Sequence, residues 1–322
     1  MLTGAPPRAG RPPVGASVDL GSNSVHLLVA RVDGHRLEPL IDQSVFLGLG
    51  SAVAERGYLG AVARGELVAT LVGYADVARR LGAGNVTFIG TEPIRRAADA
   101  SRIVHEVGVA SEAPMHVLSH EEEAYLTMIG VCEGKPVTLE TLVVDVGGGS
   151  SEFCIIDATG PPRAAGLQLG SAQLTDRFVS HDPPSVTEMA AMHAAAVEAV
   201  RGAPDSRPSD MVAVGGTASN LLKVLPAAAL DRTLTRKRIA EIITILTSQP
   251  AAVTSERHFV NPTRARILPA GALIVDAILE RYGADRLRVS EAGIREGAIL
   301  AVDHAGPAWR DRLARLAHGW RS

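Results

Sequence analysis

The stretch "LVVDVGGGSSEFCIID", residues 142–157, decides the fold. Its flanks are apolar and rich in β-branched residues, which reads as two strands, yet three glycines stand between them. Glycine weakens a strand, so the chain must need bare backbone at that point. The same arrangement occurs near the start, in "ASVDLGSNSVHLLVARV", residues 16–32. Asp19 aligns with Asp145, Gly21 with Gly147, Ser24 with Ser150 and His26 with Glu152, always 126 residues apart.

The surrounding elements repeat as well. The first copy reads as three short strands, a helix over residues 61–83, then strand, helix, strand and a helix opening after Ser119. Glycines at 82 and 84 close the first of these helices. "PIRRAADASRIVHEVG" in this stretch reads as one continuous helix. The second copy restarts at "TLVVDV" with three strands, an Ala-rich helix over residues 185–202, a strand at "DMVAVGG", and helices over 217–225, 235–248 and 263–282. The strand "RLRVSEAG" and the helix "REGAILAVDHAG" follow. The last segment, "PAWRDRLARLAHGWRS", reads as an amphipathic helix with Trp309, Leu313, Leu316 and Trp320 on one face. That face can dock back on the chain or on a second copy, and a homodimer is the expectation. The duplication is one of element order; outside the hairpins the letters differ.

Each hairpin has a chemical use. A buried strand ends at an aspartate, a tight turn follows, and a strand returns. Backbone N–H groups in such a turn converge on one point and can hold the oxygens of an anion. Small residues, Ser22, Asn23 and Ser24 in one copy and Gly147, Gly148, Gly149 and Ser150 in the other, let a phosphate come close. Asp19 and Asp145 at the strand ends can hold Mg²⁺ directly or through water. Two copies facing each other would grip a phosphate chain from both sides. A third glycine-rich joint, "VAVGGTASNLLKV", runs a strand into Gly215, Gly216 and Thr217, where a helix begins. The free N–H groups and positive end of that helix suit an anion.

Carboxylates form the next constellation. In "SHEEEAYL" Ser119 is the N-cap, which places Glu122 at the third helical position of a capping box. Glu121 and Glu123 remain, and helical spacing does not choose between them. Thr91 and Arg95 lie just after a strand, and Arg95 could fork onto a phosphate, whereas Arg96 beside it is expected to face solvent. Arg236, Lys237, Arg238, Arg257, Arg264 and Arg266 could line a track for a long anion, or form a solvated helix face.

The chain has 322 residues, 46% of them hydrophobic and 21% charged, enough for two cores. Its formal net charge of −3 argues against a nucleic-acid polymer as partner. No apolar run approaches the roughly 18 residues of a membrane span, so no membrane partner is expected. Residues 1–13 are rich in Gly, Pro and Arg and read as a disordered tail without the apolar stretch of a signal peptide, which points to the cytoplasm. Cys132 and Cys154 stand in apolar surroundings and read as buried free thiols.

These pieces resemble the exopolyphosphatase/guanosine pentaphosphate phosphohydrolase (Ppx/GppA) family of the actin-like superfamily. The matching segments are "VDLGSNSVHLLVARV", "GTEPIRRA", "LSHEEEAYL", "LVVDVGGGSSEF", "LQLGSAQLTDRF", "VGGTASNL", "ILPAGALIVDAI" and "VSEAGIREGAIL", in family order over residues 14–303. The resemblance implies an α/β protein of two ribonuclease-H-like (actin-like) domains flanking a cleft, over residues 14–127 and 128–322. It implies Mg²⁺-dependent hydrolysis of a terminal phosphoanhydride in inorganic polyphosphate or guanosine pentaphosphate. By register Glu123 matches the general base, Arg95 the phosphate-binding arginine, Asp145 and Glu152 the carboxylates near metal and water, and Ser24, Gly147, Gly148, Ser150 and Thr217 phosphate-loop positions. Two departures stand out. His120 and Glu121 replace the usual glycine and variable residue before the "EEA" element, and Glu92 adds a charge beside Arg95. Longer relatives continue into a helical domain that has no counterpart after "REGAIL", which implies short polyphosphate or a nucleotide. A ligand-sensing protein with little turnover, or a kinase of the same superfamily, are the other functions such a fold can carry.

Overall fold

The computed structural model describes residues 12–321. The first half opens with a meander of β1 (Val14–Leu20), β2 (Ser24–Asp33) and β3 (Arg36–Phe46). Helices α1 (Leu49–Arg56) and α2 (Ala61–Arg80) follow, then β4 (Ala83–Gly90), α3 (Glu92–Arg96), α4 (Ala100–Ser111), β5 (Met115–Val117) and α5 (His120–Val131). The second half repeats the order with β6 (Thr141–Val146), β7 (Ser151–Ile156), β8 (Arg163–Leu167), α6 (Ser171–Phe178), α7 (Val186–Val200) and β9 (Asp210–Val214). It continues through α8 (Gly215–Val224), α9 (Pro226–Asp231), β10 (Thr233–Thr235), α10 (Arg236–Thr247), α11 (Ala251–His258), α12 (Pro262–Arg281), β11 (Arg286–Val289), α13 (Ile294–Ala305) and α14 (Leu313–Leu316).

The five-stranded first sheet has the order β3-β2-β1-β4-β5; the second runs β10-β11-β9-β6-β7-β8. Strand for strand, β8-β7-β6-β9-β11 repeats β3-β2-β1-β4-β5, with β10 added at one edge. In both sheets the first two hairpins are antiparallel and the next strands pair in parallel, while the added edge strand β10 runs antiparallel to β11. The offset survives in the pairing, because Asp19 faces His26 across β1–β2 as Asp145 faces Glu152 across β6–β7. This is the ribonuclease-H-like arrangement, present twice.

Three apolar clusters hold it together. One lies in the first half around Leu27, Leu67 and Phe88, and another in the second around Phe153, Leu221 and Ile278. The third is shared: α5 and α13 form a layer between the sheets, packed on Leu28 and Ile89 on one side and on Val143 and Val212 on the other. These two helices meet backbone to backbone. A Cβ at Gly130 would come within 2.0 Å of the Gly293 carbonyl oxygen, and one at Gly297 within 1.8 Å of the Leu126 carbonyl oxygen. Large buried apolar faces of this kind supply most of the driving force for folding.

Several expectations are corrected. The helix read over "PIRRAADASRIVHEVG" is broken into α3 and α4, because the Asp99 carboxylate accepts hydrogen bonds from Leu59 N (2.9 Å) and Gly60 N (3.3 Å) and pairs with Arg64. The terminal helix is short: residues 306–312 form two 3₁₀ turns before the four-residue α14. Arg310 there is committed to the Glu122 carboxylate and the Val117 carbonyl, a tertiary contact that overrides the helical period. Trp309, Leu313 and Leu316 nevertheless bury on the shared cluster, so that face docks back on the chain. Helices α1, α6, α9 and α11 and strand β10 were not legible in the sequence. The tail expected over residues 1–13 lies outside the described residues up to position 11. Among the described residues no helix is long and apolar enough to cross a membrane.

Candidate active site

Both glycine-rich turns close with the same hydrogen bond. Gly21 N donates to Ser24 O at 3.1 Å, and Gly147 N donates to Ser150 O at 2.9 Å. Each turn is then held from behind by the start of the helix that follows the third strand. Leu47 N and Gly48 N donate to Asn23 O, and Gly50 N, in the first turn of α1, donates to Ser22 O at 2.7 Å. In the second half Ser171 N donates to Gly147 O, and Ala172 N and Gln173 N donate to Gly148 O. The approach is closest in the second copy, where a Cβ at Gly170 would fall 2.1 Å from Gly148 O.

The two turns meet across the cleft. A Cβ at Gly148 would sit 3.2 Å from Asn23 Nδ2 and 3.4 Å from Ser22 Cβ, and one at Gly149 would sit 2.6 Å from Glu92 Oε2. The three glycines of the opening stretch therefore make room for side chains of the other half. Behind the turns lies a cavity of about 130 Å³. It is lined by Asp19, Ser22, Asn23, Ser24, Glu123, Asp145, Gly147, Gly148, Gly149, Ser150, Glu152, Gly216 and Thr217, every residue the sequence assigns to catalysis, the phosphate loops or the metal except Arg95.

The glutamate trio divides cleanly. Glu122 closes the capping box with Ser119, accepting from Ser119 N at 2.7 Å, while Ser119 Oγ accepts from Glu122 N. Glu121 is exposed, and Glu123 is 6% exposed and lines the cavity. Arg95 stands behind it. Its guanidinium pairs with the Glu123 carboxylate, donates to Leu118 O at 2.6 Å and reaches the His120 ring at 3.0 and 3.2 Å. Arg95 thus holds Glu123 and leaves the direct cavity lining to other groups. Arg96, expected in solvent, is half exposed but donates to Glu92 Oε1 at 2.7 Å, and Glu92 is itself buried and bonded by Ser22 Oγ at 3.2 Å.

Negative charge dominates the cavity. Burial, reinforced by Glu152 and Asp19, pushes the Asp145 carboxyl up to about 7. Burial also raises Asp19 to about 6, against the opposing charge of Arg295 and with help from Glu152 and Glu296. Glu123 is pushed well above the usual carboxylate range by burial and then by Glu152, with Arg95 pulling the other way. His26 is lowered to about 4 by burial and by Arg295 and Arg264, so its imidazole is neutral.

Arg264, His26, Thr91, Glu92 and Thr127 add the remaining polar side chains of the lining. Arg264 is the cation that the sequence placed only in a basic group. It projects from the first turn of α12, and a Cβ at Gly216 would lie 2.1 Å from its Nη1. Gly215 has φ +83° and a Cβ there would lie 2.2 Å from Asp145 Oδ1, so both conformation and contact require glycine. The useful clue to Arg264 is its place just after Asn-Pro at a helix start. Thr91 is structural, its Oγ1 donating to Leu20 O at 2.9 Å at the end of β1.

A model of this family matches residues 28–304, described as the Ppx/GppA phosphatase family. The chain belongs to the Ppx/GppA phosphatase family. It is similar to exopolyphosphatase 1 of Mycobacterium tuberculosis, 26% identical over 298 residues that cover 88% of this chain and 86% of the relative. It is also similar to the guanosine-5′-triphosphate,3′-diphosphate pyrophosphatase of Vibrio parahaemolyticus, 24% identical over 308 residues, 92% of this chain and 60% of that longer protein. The crystal structure of the Aquifex aeolicus Ppx/GppA family member superposes with a TM-score of 0.81 at 25% identity, covering 92% of this chain and 99% of that one.

The cavity of this family member fits a hard cation. Asp19 Oδ1 is buried without a hydrogen-bond partner, and Asp145 and Glu152 bring further carboxylate oxygens to the same space. Oxygen donors with room for retained water suit Mg²⁺. A second grouping, His120, Glu123 and Glu152, brings one donor atom each within 4.8 Å. There the guanidinium of Arg95 already supplies the positive charge, since it contacts both His120 and Glu123.

Proposed function

We propose that the protein is a Mg²⁺-dependent exopolyphosphatase, which hydrolyses the terminal phosphoanhydride of inorganic polyphosphate and releases orthophosphate. The observation that carries this reading is Glu123, buried, held by Arg95 and facing the space enclosed by the two glycine turns.

The N–H groups of the Ser22–Ser24 and Gly147–Ser150 turns, with Thr217 at the start of α8, hold the oxygens of the terminal phosphoryl group. Arg264 faces them and offsets charge as it develops on those oxygens. Glu123 orients the attacking water and takes its proton; a carboxylate whose proton affinity is raised by burial and by Glu152 is better matched to neutral pH than an exposed one. Asp19, Asp145 and Glu152 would hold the cation, which when bound supplies charge neutralisation at the bridging oxygens. Asp145 and Asp19 then shed the protons that burial favours in the metal-free cleft. Most of the rate enhancement comes from placement and electrostatics, because phosphoryl transfer asks for little covalent chemistry from the protein.

Phosphate release is measured from polyphosphate and from guanosine pentaphosphate side by side, with Mg²⁺ and after chelation. Release from polyphosphate that stops on chelation, and that falls about 10²–10⁴-fold in Glu123→Gln, is expected. Faster release from guanosine pentaphosphate would move the substrate assignment to the nucleotide. Turnover unchanged by Glu123→Gln would remove the assignment of the base.

A further inference from the structure

We propose that His120 is a positioning residue for the reaction proposed above, linking Arg95 in the first half to Glu152 in the second; the inference rests on that reading. His120 is the first residue of α5, directly after the N-cap Ser119. Its Nδ1 lies 2.8 Å from Glu152 Oε1, and Arg95 Nη2 lies 3.0 Å from Nδ1 and 3.2 Å from Nε2. The ring rests on β8, where a Cβ at Gly166 would fall 2.1 Å from His120 Cγ, so this strand is recessed to admit it.

The donor and acceptor inventory selects one arrangement. An arginine can only donate and an ionised carboxylate can only accept. With a proton on Nδ1 the ring donates to Glu152 and leaves Nε2 to accept from Arg95. Glu152 Oε1 is completed by Ser150 Oγ at 2.6 Å, and the other nitrogen of Arg95 is taken by Glu123 and by Leu118 O. The result is one unbroken chain, Glu123–Arg95–His120–Glu152–Ser150, in which the ends are the proposed base and a residue of the second glycine turn. His120 itself does not line the cavity. It acts by fixing the rotamers of two groups that do the work, as outer partners of metal and catalytic ligands do elsewhere.

The test compares three proteins. His120→Leu keeps the bulk and removes both hydrogen bonds. His120→Asn can place an amide nitrogen near the Nδ1 position to donate to Glu152 but is too short to offer Arg95 an acceptor at the Nε2 position. For polyphosphate, kcat of the Leu variant should fall about 10–100-fold, with KM shifted less than about threefold, and the Asn variant, which keeps the Glu152 bond, should recover part of the loss. A Leu variant with unchanged kcat would overturn the proposal. So would an Asn variant as impaired as Leu, because bulk rather than hydrogen bonding would then matter. A readout free of turnover keeps the two readings apart. In ¹⁵N NMR of the wild-type protein the His120 proton is expected on Nδ1, and Glu152→Gln should shift that resonance. A proton on Nε2 would overturn the link even if the protein hydrolysed polyphosphate well. A protein that releases no phosphate from either substrate, yet shows the Nδ1 proton and its shift, would refute the function and leave the link standing.

Discussion

The two glycine hairpins share one backbone and divide the labour of the cleft. In the first, the turn carries side chains, Ser22, Asn23 and Ser24, and the returning strand presents a neutral His26. In the second, the turn is stripped to Gly147, Gly148 and Gly149, and the returning strand presents the acidic Glu152. Duplication supplied two equal cradles. Contact across the cleft made them unequal, because the bare turn is where the other half's Asn23 and Glu92 come close.

The largest effect should come from the supports behind the turns. Gly170→Ala drives a Cβ to 2.1 Å from the backbone oxygen of Gly148 and should cost about 3 kcal/mol or more. Gly50→Ala meets the Ser22 Cβ at 2.8 Å and its backbone at 3.2 Å, and should cost less. Urea midpoints of the two variants measure the difference; equal losses would mean the turns are supported alike. Next is the pair at equivalent strand positions. Glu152→Gln should lower kcat about 100-fold, whereas His26→Gln should stay within about tenfold. Without divalent metal, Glu152→Gln should also raise the melting temperature, since Glu152 pushes up Asp145, Asp19 and Glu123.

A pH effect follows from the aspartates that end β1 and β6. Both are raised above the unfolded value of 3.8, to about 6 for Asp19 and about 7 for Asp145. Between about pH 4 and 7 the folded state therefore binds more protons than the unfolded chain, and stability falls as pH rises through that window. Urea midpoints of the metal-free protein should decline from pH 5 to 7.5, and Mg²⁺ should reduce the decline by binding the ionised pair. A midpoint that rises over this range without metal would contradict the assignment. The smallest effect belongs to Asn23→Ala, which removes a side chain packed on bare backbone and should change stability by about 0.5 kcal/mol.

Much of this was legible in the letters. The 126-residue offset gave the two hairpins and the element order of each half, because a period-2 apolar run broken by Asp-x-Gly leaves few readings; the strand order within each sheet came from the structure. The capping box identified Glu122 as structural, yet the choice between Glu121 and Glu123 needed the helix's orientation, which spacing alone did not supply. Arg95 was found but its use was not, since the sequence cannot say that a cation meets a carboxylate before it meets a ligand. Arg264 was hidden among other basic residues because its partner is a glycine pair 48 positions earlier. Helices α1 and α6 were missed for a related reason. Their sequences are only eight residues long and are held by the turns they support, a tertiary effect that outweighs local propensity.

The glycine crossing of α5 and α13 has a mechanical consequence. Where two helices touch through their main chains, no side chain is present to slide or compress, so the joint cannot lengthen and can only pivot. A widening of the cleft about this joint would turn at Gly130 and Gly297, and a side chain at either position would wedge the two helices apart.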